Sequence, residues 1–303
     1  MNGGRLDRVA SDLIDGYSRA RLQIWIKDGT ITLDGAVVPP RFRVQGGELI
    51  FADLPETASA DTQVNAQPLA LDIHYQDDHL LVINKPAGLV MHTAPGNYSG
   101  TLQNGLLHLD PALAGIPRAG IVHRLDKETS GLVMVARTLK AHNSLVQQLQ
   151  ERSVHRVYDA VLVGVPVAGG TVDEPIGRHP VDRKRMSVNE KGKPAITHYR
   201  IARKFKRHSH IRVRLETGRT HQIRVHMAHV RYPLIGDVVY GGRRQIPGGV
   251  GDAVKDAVMS FPRQALNATE LGIEHPDDGR QIKWQVPLPN DMRTLLETLG
   301  ADA

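Results

Sequence analysis

Ile121-Val-His-Arg-Leu-Asp-Lys-Glu-Thr-Ser-Gly-Leu-Val-Met-Val-Ala136 is the stretch on which the reading of the chain turns. Apolar Ile121-Val122 lead into a short polar island, and Leu132 to Ala136 read as a buried strand beyond it. The island holds Asp126, with Arg124 two residues before it and the turn-forming Thr129-Ser130-Gly131 after it. A carboxylate where a loop enters a core strand is fixed in space, as catalysis requires. The same residues equally suit a structural Arg124–Asp126 salt bridge and a turn, so this stretch alone leaves both roles open.

Composition narrows the choice of chemistry. The chain has 303 residues, 41% of them hydrophobic, enough for one large domain or a large and a small one. It contains no Cys, which excludes disulfides, thiolate nucleophiles and Cys-ligated zinc and is compatible with a cytoplasmic protein. No stretch approaches the ~20 apolar residues of a membrane span, and Met1 to Asp7 has no apolar signal region. The net charge of +6 is unevenly placed. Between Arg178 and Arg231 stand sixteen Lys or Arg against three Asp or Glu, so the remainder is acidic. Such a basic region is the footprint of a polyanion site. Aromatic residues make up only 4%, too few for a protein that works chiefly by stacking bases.

In chain order, Arg5 to Ile50 reads as a small module. Leu6, Val9, Ala10, Leu13 and Ile14 recur at helical spacing, and Ser18 suits the N-cap of a second helix running to about Lys27. Thr30–Leu33 and Ala36–Val38 are expected to pair around Asp34-Gly35. Arg19, Arg21 and Lys27 give that helix region a basic character. Residues 54–71 lack periodicity and read as a linker, which divides the chain into 1–53, 54–71 and 72–303. Strands are expected at Ile73–Tyr75, His79–Asn84, Ala87–His92, Leu132–Ala136, Val154–Val163 and Ala195–Ala202, among others. His210 to Glu216 alternates cleanly. Helices are expected at Thr101–Leu109, Leu139–Gln150 and Asp291–Leu299, and Gly241–Asp256 reads as a loop or insertion. The sum is an α+β architecture around a largely antiparallel sheet.

A second polar cluster follows the alternating strand: Thr217-Gly-Arg-Thr-His-Gln-Ile-Arg-Val-His226. If Ile223 and Met227 are buried, Arg224 need not face solvent, and a guanidinium that reaches a carboxylate favours its ionised, oriented form. An ordinary basic strand–helix junction fits the same residues. His221, His226 and His229 do not follow a His-Glu-x-x-His spacing, and no Gly-x-Ser-x-Gly occurs, so neither a zinc site nor a serine triad is expected.

Three motifs carry a resemblance. His123-Arg-Leu-Asp-Lys-Glu-Thr-Ser-Gly131, Asn84-Lys-Pro-Ala-Gly88 and Gly218-Arg-Thr-His-Gln-Ile-Arg224 resemble the signatures of the RluA family of RNA pseudouridine synthases. Gly170-Thr-Val-Asp-Glu-Pro-Ile176, Gly192-Lys-Pro-Ala-Ile-Thr-His-Tyr199 and His226-Met-Ala-His229 are similar to its large-subunit ribosomal RNA members. The Arg5–Ile50 module is similar to an S4 RNA-binding domain, in its Arg5-Leu6-Asp7, its Ser18-Arg19 and a helix ending in Asp28-Gly29. Family members of this kind often carry a longer extension before that module, which would make Met1 a late start.

The resemblance implies a pseudouridine synthase catalytic domain preceded by a small S4-like domain. It implies Asp126 as nucleophile, Tyr158 as the active-site tyrosine beside the base, and Arg224 as the salt-bridge partner of the aspartate. Arg124 would enter the RNA stack as the target nucleotide flips out, and Ile223 would lie against the base. Arg219, His221 and Gln222 are expected RNA-binding neighbours, and Arg19, Arg21 and Lys27 the contacts of the S4-like domain. The reaction needs no metal and no redox cofactor. The implied partner is 23S ribosomal RNA, at the helix 69 stem-loop and within a large-subunit assembly particle, acted on by a cytoplasmic monomer. The rival reading is a non-catalytic RNA-binding factor for ribosome assembly.

Overall fold

The computed structural model describes residues 4–14, 19–54, 64–94, 96–182, 185–242 and 248–302. Contacts divide the chain into two units, residues 1–63 and 64–303. Ser18, expected as an N-cap, and residues 55–63 of the expected linker lie outside the described residues, as does the side chain of Arg21. Residues 65–71, also expected as linker, are tied to the larger unit. The Asn65 carbonyl accepts from Asn104 Nδ2 at 2.7 Å, and the Gln67 N–H donates to the Asn104 carbonyl at 3.0 Å.

The smaller unit contains α1 (Leu6–Leu13), α2 (Arg19–Asp28), β1 (Ile31–Leu33) and β2 (Ile50–Ala52). Leu6, Ala10, Leu22, Ile26 and Ile31 close its core. Asp7 is buried beneath them and accepts forked bonds from Arg5 (3.0 and 2.8 Å) and Arg19 (3.2 and 2.9 Å). Burial works to raise the Asp7 pKa, but these two guanidiniums and Gln23 hold it well below the usual carboxylate range. The expected hairpin at Asp34-Gly35 does turn, with φ of 50° and 78°, but its return arm makes only the Leu33–Ala36 bridge. The strand that pairs with β1 is β2, at Leu33–Ile50 through Ile31–Ala52. Pro39-Pro40 follow the turn and have no N–H to continue a ladder.

The larger unit runs β3 (Ile73–Gln76), β4 (Leu80–Lys85), α3 (Leu102–Leu109), β5 (Ser130–Ala136), α4 (Leu139–Gln150) and β6 (His155–Val163). Then come β7 (Gly170–Asp173), β8 (Ile176–Arg178), β9 (Met186–Val188), β10 (Ile196–Lys204), β11 (His208–Leu215) and α5 (Gln222–His229). It ends with α6 (Asp252–Ser260), β12 (Leu266–Glu274), β13 (Gln281–Gln285) and α7 (Asn290–Ala301). Among the described residues the main sheet is ordered β3-β4-β5-β12-β6-β11-β10-β7. All these pairings are antiparallel except β5–β12. The expected α+β fold with a largely antiparallel mixed sheet is therefore present. Halfway along β12, β13 takes the place of β5 as neighbour.

Alternation on the strands sends one set of side chains to each face. On one face Ile83, Val133, Val135, Ala160 and Val213 pack with α3 and with Ile223 and Met227 of α5. On the other, α4 covers Val82, Leu132 and Met134, while α6 and α7 cover Val161.

Other expectations in the larger unit need correction. Ala87–His92 is not a strand; it makes one bridge, Val90–Thr101, because Gly88 at φ 86° turns the chain. Gly241–Asp256 is not all loop, since α6 begins at Asp252. The central strand β12 gave no periodic signal because it is buried on both faces and its polar residues are paired internally. Asn267 accepts from Ser130 Oγ at 2.7 Å, and Thr269 Oγ1 donates to Asp159 at 2.5 Å. Gly131 lies inside β5 rather than in the turn. Its φ is 108°, and a Cβ there would stand 2.2 Å from the Ala268 carbonyl oxygen, so only glycine lets β5 and β12 pair.

Candidate active site

The turn that carries Asp126 is anchored at three consecutive carbonyls. Asp126 accepts from the Thr129 N–H at 3.0 Å. Lys127 accepts from the Gly88 N–H at 2.9 Å and from Lys85 Nζ at 3.0 Å, and Glu128 accepts from Arg263 Nη1 at 3.2 Å. Lys85 is fully buried at the end of β4 and also donates to the carbonyls of Pro86 (2.7 Å) and Leu89 (3.0 Å). Burial pushes its ammonium pKa down to about 8. The Asp126 loop is thus held by a motif forty residues earlier and an arginine far beyond it, whose other nitrogens bind Asp291 at 2.7 and 3.0 Å.

The open question about the mate of Asp126 is settled by α5. Arg224 Nη1 donates to Asp126 Oδ2 at 3.0 Å. Its Nε and Nη2 bind the two oxygens of Asp237 at 2.7 and 2.9 Å. Burial works against the Arg224 charge, but hydrogen bonding and attraction to Asp237, then to Asp126, raise its pKa above the ordinary value. The fork is aimed by Asp237, itself completely buried, leaving the third nitrogen free for Asp126. Asp126 keeps 15% exposure and lines a cleft of about 640 Å³, and its other oxygen, Oδ1, accepts no hydrogen bond among the described residues. The neighbour on that side is His221 Nε2 at 3.8 Å, too far for a hydrogen bond.

His221 starts α5 in a left-handed conformation, φ 57°, and its Nδ1 lies 2.7 Å from the Tyr240 hydroxyl. Burial lowers its pKa, against the attraction of Asp126. Tyr240 in turn accepts from the Met186 N–H at 2.9 Å and lies under the Arg224 guanidinium, 4.9 Å from ring centre. Tyr158 projects from β6 into the same cleft, and burial pushes its hydroxyl pKa up. Ile223 is buried beside it. Arg124 is exposed on the cleft wall, and no hydrogen bond or ion pair to it occurs among the described residues. His123 points inward instead: its Nε2 accepts from the Met134 N–H at 3.0 Å, and burial pushes its pKa down to about 3.

The remaining expected residues divide. Gln222 uses its whole amide on the protein. Its oxygen accepts from Thr217 Oγ1 (2.8 Å) and the Arg219 N–H (2.9 Å), and its nitrogen donates to Ile196 O and Thr197 Oγ1, both at 3.0 Å. Arg219 reaches the Pro194 carbonyl at 3.0 Å from the cleft rim. In the smaller unit Arg19 turns its fork onto Asp7, while Lys27 is exposed. His226 is bound between Thr197 Oγ1 and the Glu174 carbonyl at 2.8 and 2.9 Å. No three His, Asp or Glu side chains are placed to share a metal ion among the described residues.

Lys85, Asp237, Tyr240 and Arg263 escaped the sequence reading as site residues. The available sign for Asp237 was an acid between apolar Ile235 and Val238, close behind the basic region. Chemically, the site presents one fixed carboxylate oxygen to a partly dry cleft with an aromatic wall and a cationic rim. It can attack an electrophilic carbon or take up a proton.

Comparison with known proteins accords with this geometry. A family model described as RNA pseudouridylate synthase matches residues 79–229, which include Asp126, Tyr158 and Arg224. Ribosomal large subunit pseudouridine synthase D of Pseudomonas aeruginosa is 52% identical over 302 residues, covering 100% of this chain and 94% of that protein. Its namesake in Escherichia coli strain K12 is 49% identical over 303 residues, covering 99% and 92%. Among solved structures, Human RNA Pseudouridylate Synthase Domain Containing 4 superposes with a TM-score of 0.60 at 25% identity, over 75% of this chain and 92% of that one. Human RNA Pseudouridylate Synthase Domain Containing 1 gives 0.55 at 26% identity, over 78% and 98%. Since half the residues are shared along the whole length with such synthases, and the family match spans both walls of the cleft, the chain belongs to the RluA family of RNA pseudouridine synthases.

Proposed function

We propose that the protein converts uridine to pseudouridine in large-subunit ribosomal RNA, at the helix 69 stem-loop, with Asp126 as nucleophile. The observation that supports this most directly is Arg224, which binds one oxygen of the cleft-lining Asp126 and leaves the other without a hydrogen bond among the described residues. The printed names of the bacterial relatives supply the ribosomal RNA class. The basic Arg178–Arg231 region supplies charge for the backbone.

In the reaction the N1–C1′ bond of uridine breaks and a C5–C1′ bond forms. The proton on C5 is lost and N1 gains one, so atoms balance without a co-reactant. The base is inaccessible within a helix and must be extruded first. Exposed Arg124, free of intramolecular bonds among the described residues, fills the space that the nucleotide vacates. Asp126 Oδ1 acts at the ribose, either by attack at C1′ or by starting loss of the base through a glycal. Tyr158 and Ile223 wall the base, keeping the detached ring from water while it turns. The smaller unit acts as an S4-like RNA-binding domain spanning 1–53, with Arg19, Arg21 and Lys27 as contacts, and 72–303 as the catalytic domain. Arg219, His221 and Gln222 line the RNA path, Gln222 by bracing the 217–219 turn.

The test is a carbodiimide–primer-extension map of ribosomal RNA from cells carrying wild-type protein, none, or D126A. Pseudouridine in helix 69 is expected only with wild type, while purified D126A still binds the stem-loop. Turnover by D126A would remove Asp126 as nucleophile, and retention of every pseudouridine without the protein would remove the target assignment. Assays on free RNA and on assembled particles distinguish the substrate form.

A further inference from the structure

One buried charged group in the cleft wall has no counter-charge among the described residues. Arg156 on β6 is only 6% exposed, yet its printed hydrogen bond is a single long one, from Nη2 to the Glu216 carbonyl at 3.3 Å. Its Nε has no hydrogen-bond partner among the described residues. No carboxylate pairs with it among the described residues, whereas buried Arg224 and Arg263 each hold a carboxylate in a two-pronged grip. A buried guanidinium left unpaired is costly, and proteins retain one where a ligand supplies the missing charge.

Its placement indicates which ligand. Arg156 and Tyr158 are two residues apart on one strand, so they project on the same face about 7 Å from each other. Both line the cleft that holds Asp126. Above the guanidinium lies exposed Gly218, where a Cβ would stand 2.9 Å from Arg156 Nη1. The missing side chain leaves that nitrogen uncovered. The charge is felt nearby, lowering the pKa of His123 and opposing the rise at Tyr158. A uracil carbonyl would satisfy one N–H and leave the charge standing; a phosphodiester satisfies both, with two oxygens spaced for the fork.

We propose that Arg156 is the phosphate-binding residue of the cleft, gripping a backbone phosphate next to the flipped uridine while Tyr158 and Asp126 face its base and ribose. This rests on the reading of the cleft as the uridine site. The phosphate fixes the nucleotide's position along β6, and with it the distance from C1′ to Asp126 Oδ1.

The experiment uses the full-length protein and stem-loop RNAs in which one linkage beside the target uridine is an uncharged methylphosphonate, on the 5′ or the 3′ side. Wild type should lose about 10- to 100-fold in kcat/KM at one of the two linkages. R156A should lose a similar factor on native RNA, become indifferent to that linkage, and show a salt slope shallower by about 1. R156K should recover part of the loss, and melting curves establish that each variant is folded. Wild type that makes pseudouridine with equal ease on both modified RNAs overturns the proposal, even if R156A does not fold. So does R156A that keeps the full linkage penalty. If wild type makes no pseudouridine in any of these RNAs, the fault lies with the reading of the cleft and the proposal falls with it.

Discussion

Replacing Asp237 with Asn separates aiming from chemistry. Asp237 is completely buried, takes two nitrogens of Arg224 at 2.7 and 2.9 Å, and also accepts from the Val239 and Tyr240 N–H groups at 3.0 and 3.1 Å. D237N keeps the shape but removes the charge that the buried guanidinium relies on. Breaking one side of a buried pair costs about 3–5 kcal/mol. At 2–4 °C per kcal/mol for a unit of this size, the melting temperature should fall by about 6–20 °C. Arg224 would then turn toward Asp126, its remaining carboxylate, and draw Oδ1 away from the ribose. A displacement of that kind costs on the order of 100-fold in turnover. D126N provides the contrast. Asp126 is partly exposed and Arg224 retains Asp237, so the melting temperature should move little while turnover vanishes. The assay is thermal melting beside single-turnover pseudouridine formation on a stem-loop. D237N that melts with the wild type, or D126N that is the less stable of the two, would refute the argument that Asp237 is the counter-charge and Asp126 the working group.

Other expectations follow from single contacts. Lys85 is held near pKa 8 in the folded protein against 10.5 ordinarily. From about pH 8 upward the unfolded chain binds the extra proton, so stability should rise with pH toward 10.5, by up to roughly 3 kcal/mol. K85M, compared with wild type by urea unfolding at pH 8 and 9.5, should lack that part of the rise. Y240F keeps the ring under Arg224 but loses the hydroxyl that joins His221 to the Met186 N–H, and should cost about 1–2 kcal/mol and raise KM. G131A forces a Cβ against the Ala268 carbonyl at φ 108°, and should lose more than about 4 kcal/mol, measured as failure to recover folded protein.

The fold was legible wherever one face of an element is wet. His208–Leu215 alternates because its odd positions 211, 213 and 215 are buried and 212 and 214 are exposed. α4 was readable with its full bounds from Leu145, Val146 and Leu149, of which Leu145 is buried and the other two are half-buried. β12 was not, since Asn267, Thr269 and Glu270 are buried polar residues whose cross-strand partners exist only in the folded sheet. The site divided the same way. Asp126 stood out because its short polar island is flanked by apolar runs, Ile121-Val122 before and Leu132 to Ala136 after. The pairing with Arg224 spans 98 residues, and Asp237 and Arg263 reach their partners 13 and 135 residues away, which no local pattern reveals. Arg124, first a possible mate of Asp126, lies on the cleft wall without a described partner of its own.

The anchoring of the Asp126 loop also sets a clock. Its carbonyls are tied to Lys85, made before it, and to Arg263, made 135 residues after Glu128, and Arg263 in turn needs Asp291 near the far end. At about 5–20 residues per second, the ribosome that makes this chain exposes Asp126 roughly ten to thirty seconds before its last anchor exists. The basic Arg178–Arg231 segment is made within that interval, before Arg263 and Asp291 exist to brace the Asp126 loop. The loop that carries Asp126 can therefore be fully braced only after both Arg263 and Asp291 have been made.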